Sequence, residues 1–328
     1  MGKDPAAQIR LVIVSPVYED AASATKLIEE LAGHFSGSDL NIRILMVDDG
    51  STKPLSDELV VPDTAQNFAL DVLLLRRNVG HQRAIALGTA FVHDQIPCDA
   101  MLVMDADGED RPEDAARLLE HFRKSDLGHI IFAERTRRTE SGIFRGLYRL
   151  YQVMHWLLTG IKVRVGNFSI VPARCLPTLV TLPAMWNHYA AAIFQSRLSF
   201  DTIPTQRGTR YSGRSKMNYL SLVMHGLNAI SVFGDLVAVR FLIAVFALSC
   251  LCGVMLVVSL VTHFVSNSDF PVWAVYGGGT LLILLLLTVG CFSLVLNLMS
   301  QRNNLDFIPI RDYKYFVDRV IRLAPPHE

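Results

Sequence analysis

The sequence lacks an excess of charge of either sign. Its 328 residues carry 31 lysines and arginines against 31 aspartates and glutamates, so the formal net charge at pH 7 is zero. Proteins that bind nucleic acid usually present a basic surface. A nucleic-acid partner is therefore not expected.

Cysteine is scarce, and its spacing excludes several kinds of site. The chain has five cysteines, and none of them forms a C-x-x-C pair. This pattern predicts neither a disulfide framework nor a cysteine-ligated zinc site, which fits a reducing compartment. The first ten residues, MGKDPAAQIR, contain no apolar h-region, so no cleaved secretory signal is expected.

Two common nucleotide-binding motifs are also missing. The sequence contains neither G-x-G-x-x-G nor G-x-x-x-x-G-K-[ST]. Their absence excludes the dinucleotide site of Rossmann dehydrogenases and the P-loop. A nucleotide site in this chain has to be built by other residues.

What the sequence does contain is a sharp division of hydropathy. Residues 241–265, FLIAVFALSCLCGVMLVVSLVTHFV, and residues 272–300 include no Asp, Glu, Lys or Arg. Each run exceeds the ~20 helical residues that cross a hydrocarbon core of ~30 Å. The sequence predicts two transmembrane helices, at about 241–265 and 272–299, which form a hairpin over residues 241–300.

Positive charge sets the predicted orientation of this hairpin. Arg240 precedes the first run and Arg302 follows the second, whereas the connector has no Lys or Arg. The positive-inside rule then places both chain ends in the cytoplasm and makes the chain a multi-pass protein of the inner (cytoplasmic) membrane. Residues 219–240 are interpreted as amphipathic juxtamembrane helices, with helices packed on the soluble part as the alternative. Residues 301–328 are interpreted as a cytoplasmic C-terminal tail.

The first 218 residues alternate strand-like and helix-like segments. Apolar runs rich in β-branched residues occur at 9–17, 41–50, 71–77, 100–107 and 129–135. Segments with apolar residues at helical spacing lie between several of them. This alternation predicts an α/β domain over residues 1–218, with a mostly parallel sheet and helices on both faces. Ligands bind such sheets beyond the carboxyl ends of the strands.

Acidic residues cluster at those predicted strand ends. Asp105 and Asp107 lie at the end of the fourth run, and Asp48 and Asp49 lie near the end of the second. On an extended chain end Asp105 and Asp107 point the same way, because side chains alternate along a strand. Converging carboxylates suit Mg²⁺ or Mn²⁺, and such a metal usually bridges to substrate phosphates. A metal with a diphosphate explains the cluster best, and a solvated turn is the alternative.

Seven motifs in order carry a resemblance to a known family. They are SPVYED, VDDGS, RNVGHQRAIALG, DADGEDRPED, ERTRR, GNFSIVPAR and RYSGRSKMNY. The chain resembles, from about Ile9 to Ser300, the family 2 glycosyltransferases, and among them the membrane-anchored polyprenyl-phosphate glycosyltransferases such as dolichol-phosphate mannose synthases and bacterial undecaprenyl-phosphate glucosyltransferases. The resemblance implies a GT-A type, Rossmann-like catalytic domain followed by the two-helix transmembrane hairpin.

The resemblance also implies roles for individual residues. The positions that match the nucleoside site are Pro16, Tyr18, Glu19, Asp48 and Asp49. Those that match the metal site on the diphosphate are Asp105, Asp107 and Glu109. Basic positions near the acceptor phosphate are matched by Arg135 and Arg145. A mobile segment that closes over the site is matched by Arg210, Gly213, Ser215 and Lys216.

Three positions depart from the family pattern. Glu109 stands where family members often have Gln, Ser169 where Arg is frequent after GNF, and His81 where Lys or Arg is usual. The last two bear on the acceptor and the sugar. His81 is interpreted as a structural or surface residue, because it has no metal-ligand spacing to other histidines.

The implied reaction is an inverting transfer of a sugar from a UDP- or GDP-linked donor to a polyprenyl phosphate at the cytoplasmic membrane face. Because the acceptor is already an anion, no strong general base is needed. The main alternative is a glycosyltransferase acting on a diacylglycerol- or ceramide-like lipid. The lipid bilayer is an expected partner, and the small residues Gly277, Gly278 and Gly279 make a homo-oligomer a further one to consider.

Overall fold

The computed structural model describes residues 8–35, 39–65, 68–125, 128–135, 152–161, 165–212, 219–266, 272–304 and 307–324. Among the residues named above, Arg145, Gly213, Ser215 and Lys216 lie outside these ranges.

An eight-stranded mixed sheet forms the centre of the α/β domain. Its strands are β1 Ile9–Val17, β2 Leu40–Asp48, β3 Ala69–Leu75, β4 Ala100–Val103, β5 Ile130–Arg135, β6 Val165–Pro172, β7 Phe200–Thr205 and β8 Val317–Ala324. The spatial order is β7-β5-β6-β4-β1-β2-β3-β8. Strands β1 to β4 run parallel to one another, and β5 pairs parallel with β7. Strand β6 runs antiparallel between β4 and β5, and β8 runs antiparallel to β3.

Helices connect and cover these strands. They are α1 Ala21–Phe35, α2 Leu55–Glu58, α3 His81–Gln95, α4 Pro112–Lys124, α5 152–159, α6 Leu176–Leu179, α7 Tyr189–Gln195, α8 Tyr219–Ser231, α9 Gly234–Ser266, α10 Val272–Asn304 and α11 Pro309–Phe316. Single turns of 3₁₀-helix cover Asp63–Ala65, Ala173–Cys175 and Pro183–Trp186. The predicted class, a mostly parallel α/β fold followed by two apolar helices, is confirmed.

The hydrophobic core has one layer on each face of the sheet. In β1, Leu11 and Ile13 belong to the layer under α1 and α4, whereas Val12 and Val14 belong to the layer under α3 and α7. Successive strand side chains point to opposite faces, so a strand buried on both faces is apolar at every position. This explains why the central strands appear in the sequence as unbroken apolar runs.

Part of the C-terminal segment, which was interpreted from the sequence as a tail, forms a helix and a strand. Strand β8 completes one edge of the sheet, with Val320 opposite Leu73. Helix α11 packs on α3, where the Tyr313 ring meets Phe91 edge-on at 6.3 Å and its hydroxyl donates to Asp94 at 2.5 Å. Residues 309–324 therefore belong to the α/β domain. The sequence does not predict this strand, because VDRVIRLA contains charged residues and an edge strand does not need an apolar run.

The structure divides residues 219–240 between two helices. Helix α8 covers Tyr219–Ser231, and α9 begins at Gly234 and runs without a break into the predicted first span. Helices α9 and α10 are both long and apolar enough to cross a membrane. Phe241 meets Phe292 edge-on at 5.5 Å, which joins the two helices at the end nearest the α/β domain.

Candidate active site

The predicted site residues that the structure describes lie at or beyond the carboxyl ends of β1, β2, β4, β5 and β7. Strand β4 ends at Val103, and the chain then turns through residues 104–111 before Pro112 starts α4. Asp105 lies two residues beyond the strand, and Asp107 lies in the turn that follows it. Alternation along a strand therefore does not by itself determine how the two carboxylates are oriented. Residues 105–110 are called the acidic turn below.

A cavity of about 160 Å³ opens beside the ends of β1 and β2. It is lined by Pro16, Val17, Tyr18, Asp49, Asn78, Gly80 and His81. The Tyr18 side chain is exposed, which leaves its ring available for stacking. Three of the five residues predicted for the nucleoside, Pro16, Tyr18 and Asp49, thus share one cavity.

Asp48, which ends β2, and the following Asp49 are almost fully buried, and backbone amides donate hydrogen bonds to their carboxylates. Asp48 accepts from the amides of Ser51 at 3.0 Å and Leu55 at 2.8 Å. Asp49 accepts from the amides of Val79 at 2.7 Å and of the following glycine at 2.9 Å. Burial raises the pKa of Asp49, although these two amides oppose the rise. Both carboxylates hold the loops that shape the cavity, and of the two only Asp49 lines it.

Glu19 has a similar role in the loop after β1. Its backbone is left-handed, with φ of 52°, and its amide donates to Ser51 Oγ at 3.0 Å. Its carboxylate accepts from the Thr52 amide at 2.6 Å. Glu19 therefore ties the loop after β1 to the loop after β2, behind the cavity.

Arginines neutralise the acidic turn. Arg210 Nη2 pairs with Asp107 Oδ2, and Arg210 Nε lies 3.1 Å from Glu109 Oε1. The same Glu109 oxygen accepts from Arg207 at 2.6 Å, and Arg135 lies 3.6 Å from the other Glu109 oxygen. The second Asp107 oxygen accepts from the Glu109 amide at 2.9 Å. A single guanidinium, that of Arg210, thus bridges two of the three predicted metal ligands.

Arg135 pairs most closely with Asp110, which the sequence did not single out. Arg135 Nη2 donates to Asp110 Oδ1 at 2.9 Å, and Asp110 Oδ2 accepts from the Asp105 amide at 3.0 Å. Burial raises the pKa of Asp110 to about 7, with Asp105 adding to the rise and Arg135 opposing it. Burial would raise the pKa of Glu109 as well, but its hydrogen bond from Arg207 and the neighbouring arginines outweigh that and lower it.

The residues of the acidic turn fit a divalent ion in part. Among the residues described, no group of three or more His, Cys, Asp or Glu side chains converges as a ready ligand set. However, Asp105 Oδ1 is enclosed and receives no well-aligned hydrogen bond. A buried carboxylate oxygen without a donor is costly unless a cation satisfies it. Both candidate ligand atoms already face a basic group, since Asp105 Oδ1 lies 3.1 Å from His81 Nε2 and Asp107 Oδ2 pairs with Arg210.

His81 is a site residue that the sequence interpretation missed. It begins α3, and its Nε2 lies 3.1 Å from Asp105 Oδ1 and 3.1 Å from Asn167 Nδ2. Asn167 Oδ1 accepts from Gln82, whose own oxygen accepts from the Tyr189 amide at 2.7 Å. Partial burial would lower the pKa of His81, but the Asp105 carboxylate outweighs it and raises that pKa. The available signal was its position in RNVGHQ, directly after a strand end.

Ser169 does not face the crevice. It is fully buried on β6, and its Oγ lies 2.9 Å from Tyr189 Oη and donates to Asn167 O at 2.9 Å. The position that departs from the family pattern is thus part of the core beneath the site.

Residues 206–212, called the docking segment below, follow β7 and lie against the acidic turn. The Gly208 amide donates to Glu109 O and the Tyr211 amide donates to Asp107 O, each at 2.9 Å. Backbone hydrogen bonds thus hold the segment at both of these acidic residues. Of the four residues predicted for a mobile segment, the structure describes only Arg210.

Two glycines allow this contact. Gly108 has φ of +87°, and a Cβ on it would lie 2.9 Å from Thr209 O and from the Tyr211 ring. A Cβ on Gly208 would overlap the Gly108 carbonyl. The Tyr211 hydroxyl then donates to Glu30 on α1 at 2.6 Å, which anchors the far end of the docking segment.

The chain is similar to glycosyltransferases in sequence. Residues 12–176 match the family model described as Glycosyl transferase family 2. The chain is 25% identical over 338 residues to the undecaprenyl-phosphate 4-deoxy-4-formamido-L-arabinose transferase of Edwardsiella ictaluri (strain 93-146), and the match covers 96% of this chain and 95% of that relative.

Solved structures show a more distant likeness. Mannosyl-3-phosphoglycerate synthase from Rubrobacter xylanophilus is 15% identical with a TM-score of 0.48, over 69% of this chain and 73% of that one. Glucosyl-3-phosphoglycerate synthase from Mycobacterium tuberculosis, in complex with Mn²⁺, UDP-glucose and phosphoglyceric acid, is 12% identical with a TM-score of 0.48, over 70% of this chain and 80% of that one. The ligands in that complex belong to that protein.

Proposed function

We propose, from the membership of the chain in glycosyl transferase family 2, whose model matches residues 12–176, that it transfers a sugar to a polyprenyl phosphate such as undecaprenyl phosphate. The proposed donor is a UDP- or GDP-linked sugar, and the transfer inverts the anomeric carbon. The chain is a glycosyltransferase by family, and the donor and acceptor are the proposed part. The relative from Edwardsiella ictaluri, which the chain matches almost end to end, is named for a transfer to undecaprenyl phosphate.

One observation carries the proposal: the acidic turn stands beside a cavity of about 160 Å³ at the carboxyl ends of the strands. Such a crevice is where α/β sheets bind nucleotides. The nucleoside occupies the cavity, with its base against Tyr18 and close to Asp49. Pro16 shapes the cavity wall, while Glu19 and Asp48 hold the two loops in place. The diphosphate then extends towards the acidic turn.

The residues that would hold a divalent metal, Mg²⁺ or Mn²⁺, are Asp105 and Asp107, with Glu109 beside them. Asp105 offers an enclosed oxygen whose neighbour is the His81 ring, with Nε2 at 3.1 Å. When bound, the ion supplies Lewis-acid stabilisation of the charge that develops on the leaving diphosphate. The chain's own guanidinium groups add to this, because Arg210 and Arg135 stand within the same cluster and pair well with phosphate oxygens.

The acceptor phosphate approaches the anomeric carbon from the side opposite the diphosphate and displaces it in line. A phosphate monoester is an anion at neutral pH, so the step requires orientation and charge compensation and no proton abstraction. We assign that compensation to Arg135 at the end of β5, and to Arg145 and the mobile-segment residues Ser215 and Lys216 on the family resemblance alone. Arg135 would exchange its contact with Glu109 at 3.6 Å for the acceptor.

An apolar surface beside the α/β domain supports a lipid acceptor. Helix α5 exposes Val153, Met154, Trp156 and Leu157, each by 44–58%. Arg240 Nη1 donates to Leu157 O at 2.8 Å, which ties the end of α5 to α9 where its uncharged run begins. Tryptophan and arginine at such a position are typical of a membrane interface. The sequence interpretation missed α5 as a membrane-facing element.

These features support a bilayer partner and an inner-membrane location with the α/β domain on the cytoplasmic side. In the most apolar 18-residue stretch of each candidate span, none of the described residues is buried. No described atom lies within 4 Å of a Cβ built on Gly277, Gly278 or Gly279. That bare helix surface supports a homo-oligomer as a further part of the proposal.

The test is an incorporation assay on membranes that contain the enzyme. Membranes are incubated with a panel of radiolabelled UDP- and GDP-sugars and undecaprenyl phosphate, and the lipids are then extracted. We expect label from one nucleotide sugar in a lipid that depends on added polyprenyl phosphate. Label in a glycerolipid or ceramide-like lipid, independent of polyprenyl phosphate, would favour the alternative acceptor.

A further inference from the structure

Arg210 pairs with two of the three predicted metal ligands of the acidic turn. Its guanidinium bridges Asp107 Oδ2 and Glu109 Oε1. The remaining Asp107 oxygen accepts from the Glu109 amide at 2.9 Å. A divalent ion at Asp107 would therefore share its ligand oxygen with a guanidinium group.

The docking segment is built to keep Arg210 at that position. Two backbone hydrogen bonds of 2.9 Å join the segment to the carbonyls of Asp107 and Glu109. The anchor of Tyr211 on Glu30 of α1 follows directly after Arg210. Backbone contacts of this kind restrict where the guanidinium lies, so its pairing with Asp107 is not a chance encounter of two surface side chains.

The charge balance of the cluster leads to the same conclusion. Four carboxylates, those of Asp105, Asp107, Glu109 and Asp110, face three guanidinium groups, those of Arg135, Arg207 and Arg210, and Asp105 also faces the His81 ring at 3.1 Å. At most one negative charge is left uncompensated among these groups. A free divalent ion is therefore weakly attracted and is repelled by Arg210. A metal ion that arrives with a diphosphate brings anionic oxygens of its own, and these offer Arg210 a new partner.

We propose that Arg210 is a resident counter-cation that makes the metal site selective for the metal–nucleoside diphosphate pair over the free metal ion. In the ligand-free enzyme it neutralises Asp107 and Glu109. When the donor binds, Arg210 passes from Asp107 to the diphosphate and releases the Asp107 oxygen to the metal. This inference rests on the proposed function, since it takes the acidic turn as the metal site.

The experiment measures Mn²⁺ binding to the full-length enzyme in detergent by electron paramagnetic resonance, first without nucleotide. The variant is Arg210→Gln, which keeps a polar side chain and removes the charge. The control is Arg123→Gln, the same change at an exposed arginine of α4. Because a competing charged hydrogen bond is removed, Arg210→Gln should bind free Mn²⁺ at least about tenfold more tightly than the wild type. The control should bind Mn²⁺ as the wild type does.

The titration is then repeated with UDP and with GDP. The nucleotide should strengthen Mn²⁺ binding more in the wild type than in Arg210→Gln, since only the wild type has to release Asp107. Equal or weaker binding of free Mn²⁺ by Arg210→Gln would overturn the inference while leaving the metal site itself in place. Failure of the wild type to bind Mn²⁺ even with either nucleotide would instead refute the metal assignment in the proposed function, and the inference with it.

Discussion

Replacing Arg135 with alanine tests whether this residue is first of all the counter-ion of a buried carboxylate. Arg135 Nη2 donates to Asp110 Oδ1 at 2.9 Å, and only 2% of the Asp110 side chain is exposed. Removing one partner of a buried ion pair typically costs ~3–5 kcal/mol, because the other charge stays buried without compensation. Here the cost is lower, since the pKa of Asp110 is already raised to about 7 and the carboxyl can take up a proton instead.

We therefore expect Arg135→Ala to lose ~2–3 kcal/mol of unfolding free energy at neutral pH. For a domain of this size, each kcal/mol lowers the melting temperature by ~2–4 °C, so the loss should appear as a decrease of roughly 4–12 °C. The assay is thermal unfolding of the purified protein in detergent. A matched control is Arg117→Ala, because Asp114 then keeps its second partner, Arg111, at 2.8 Å.

A double mutant makes the reasoning refutable. Arg135→Ala combined with Asp110→Asn removes both charges, so it should melt at a higher temperature than Arg135→Ala alone. If the single variant melts within 1 °C or 2 °C of the wild type, or if the second substitution restores nothing, Arg135 is not the counter-ion of Asp110. An unchanged melting temperature with a raised KM for polyprenyl phosphate would indicate that Arg135 binds the acceptor and does not stabilise Asp110.

Three further outcomes follow from the structure. The hydrogen bond from Tyr313 lowers the pKa of Asp94 to about 2, so the stability that Asp94 contributes is complete above the ordinary pKa of ~3.9 and is lost as the pH falls towards 2. The difference in melting temperature between the wild type and Asp94→Asn should therefore narrow over that pH range, and a constant difference would contradict the assignment. Gly208→Ala should displace the docking segment and speed its cleavage by trypsin, whereas Gly33→Ala, where a Cβ meets nothing within 4 Å, should digest like the wild type; equal rates for all three proteins would argue against the close contact. On a cysteine-free background, a cysteine at Asn267 should react with an impermeant maleimide applied from outside the cytoplasm and one at Asn304 should not, and the reverse pattern would place the α/β domain on the wrong side of the membrane.

Strands β1 to β5 were predictable as apolar runs because the sheet buries most of their residues on both faces, whereas the central strand β6 was not predicted. All seven residues of β3 are buried, so the strand appears as an apolar run. The edge strands were not predictable in this way. Strand β7 exposes four of its six residues, and β8 carries Asp318, Arg319 and Arg322. Strands β7 and β8 pair with strands that are distant in the sequence, and no local sequence pattern predicts such pairing.

From composition and spacing, the candidate site was also predictable only where its residues are close together in the sequence. Asp105, Asp107 and Glu109 were found because they are close together in the sequence. Their arginine partners come from a segment about 100 positions further on, as in the pair of Arg207 with Glu109, separated by 98 residues. Composition gives no reason to join these segments. The resemblance implied a site role for Arg210, and in the structure the pairing of β5 with β7 and two backbone hydrogen bonds bring the docking segment to the acidic turn.

The chemical identity of the lipid product tests the central claim most directly. Purified enzyme is incubated with undecaprenyl phosphate, a divalent metal and the nucleotide sugar that labels lipid in membranes, and the product is examined by mass spectrometry and phosphorus NMR. The account predicts a polyprenyl phosphodiester with inverted anomeric configuration, formed by the wild type and lost both in Asp107→Asn and in excess EDTA. A sugar joined to a glycerolipid hydroxyl, or an unchanged rate in Asp107→Asn with EDTA present, would contradict it.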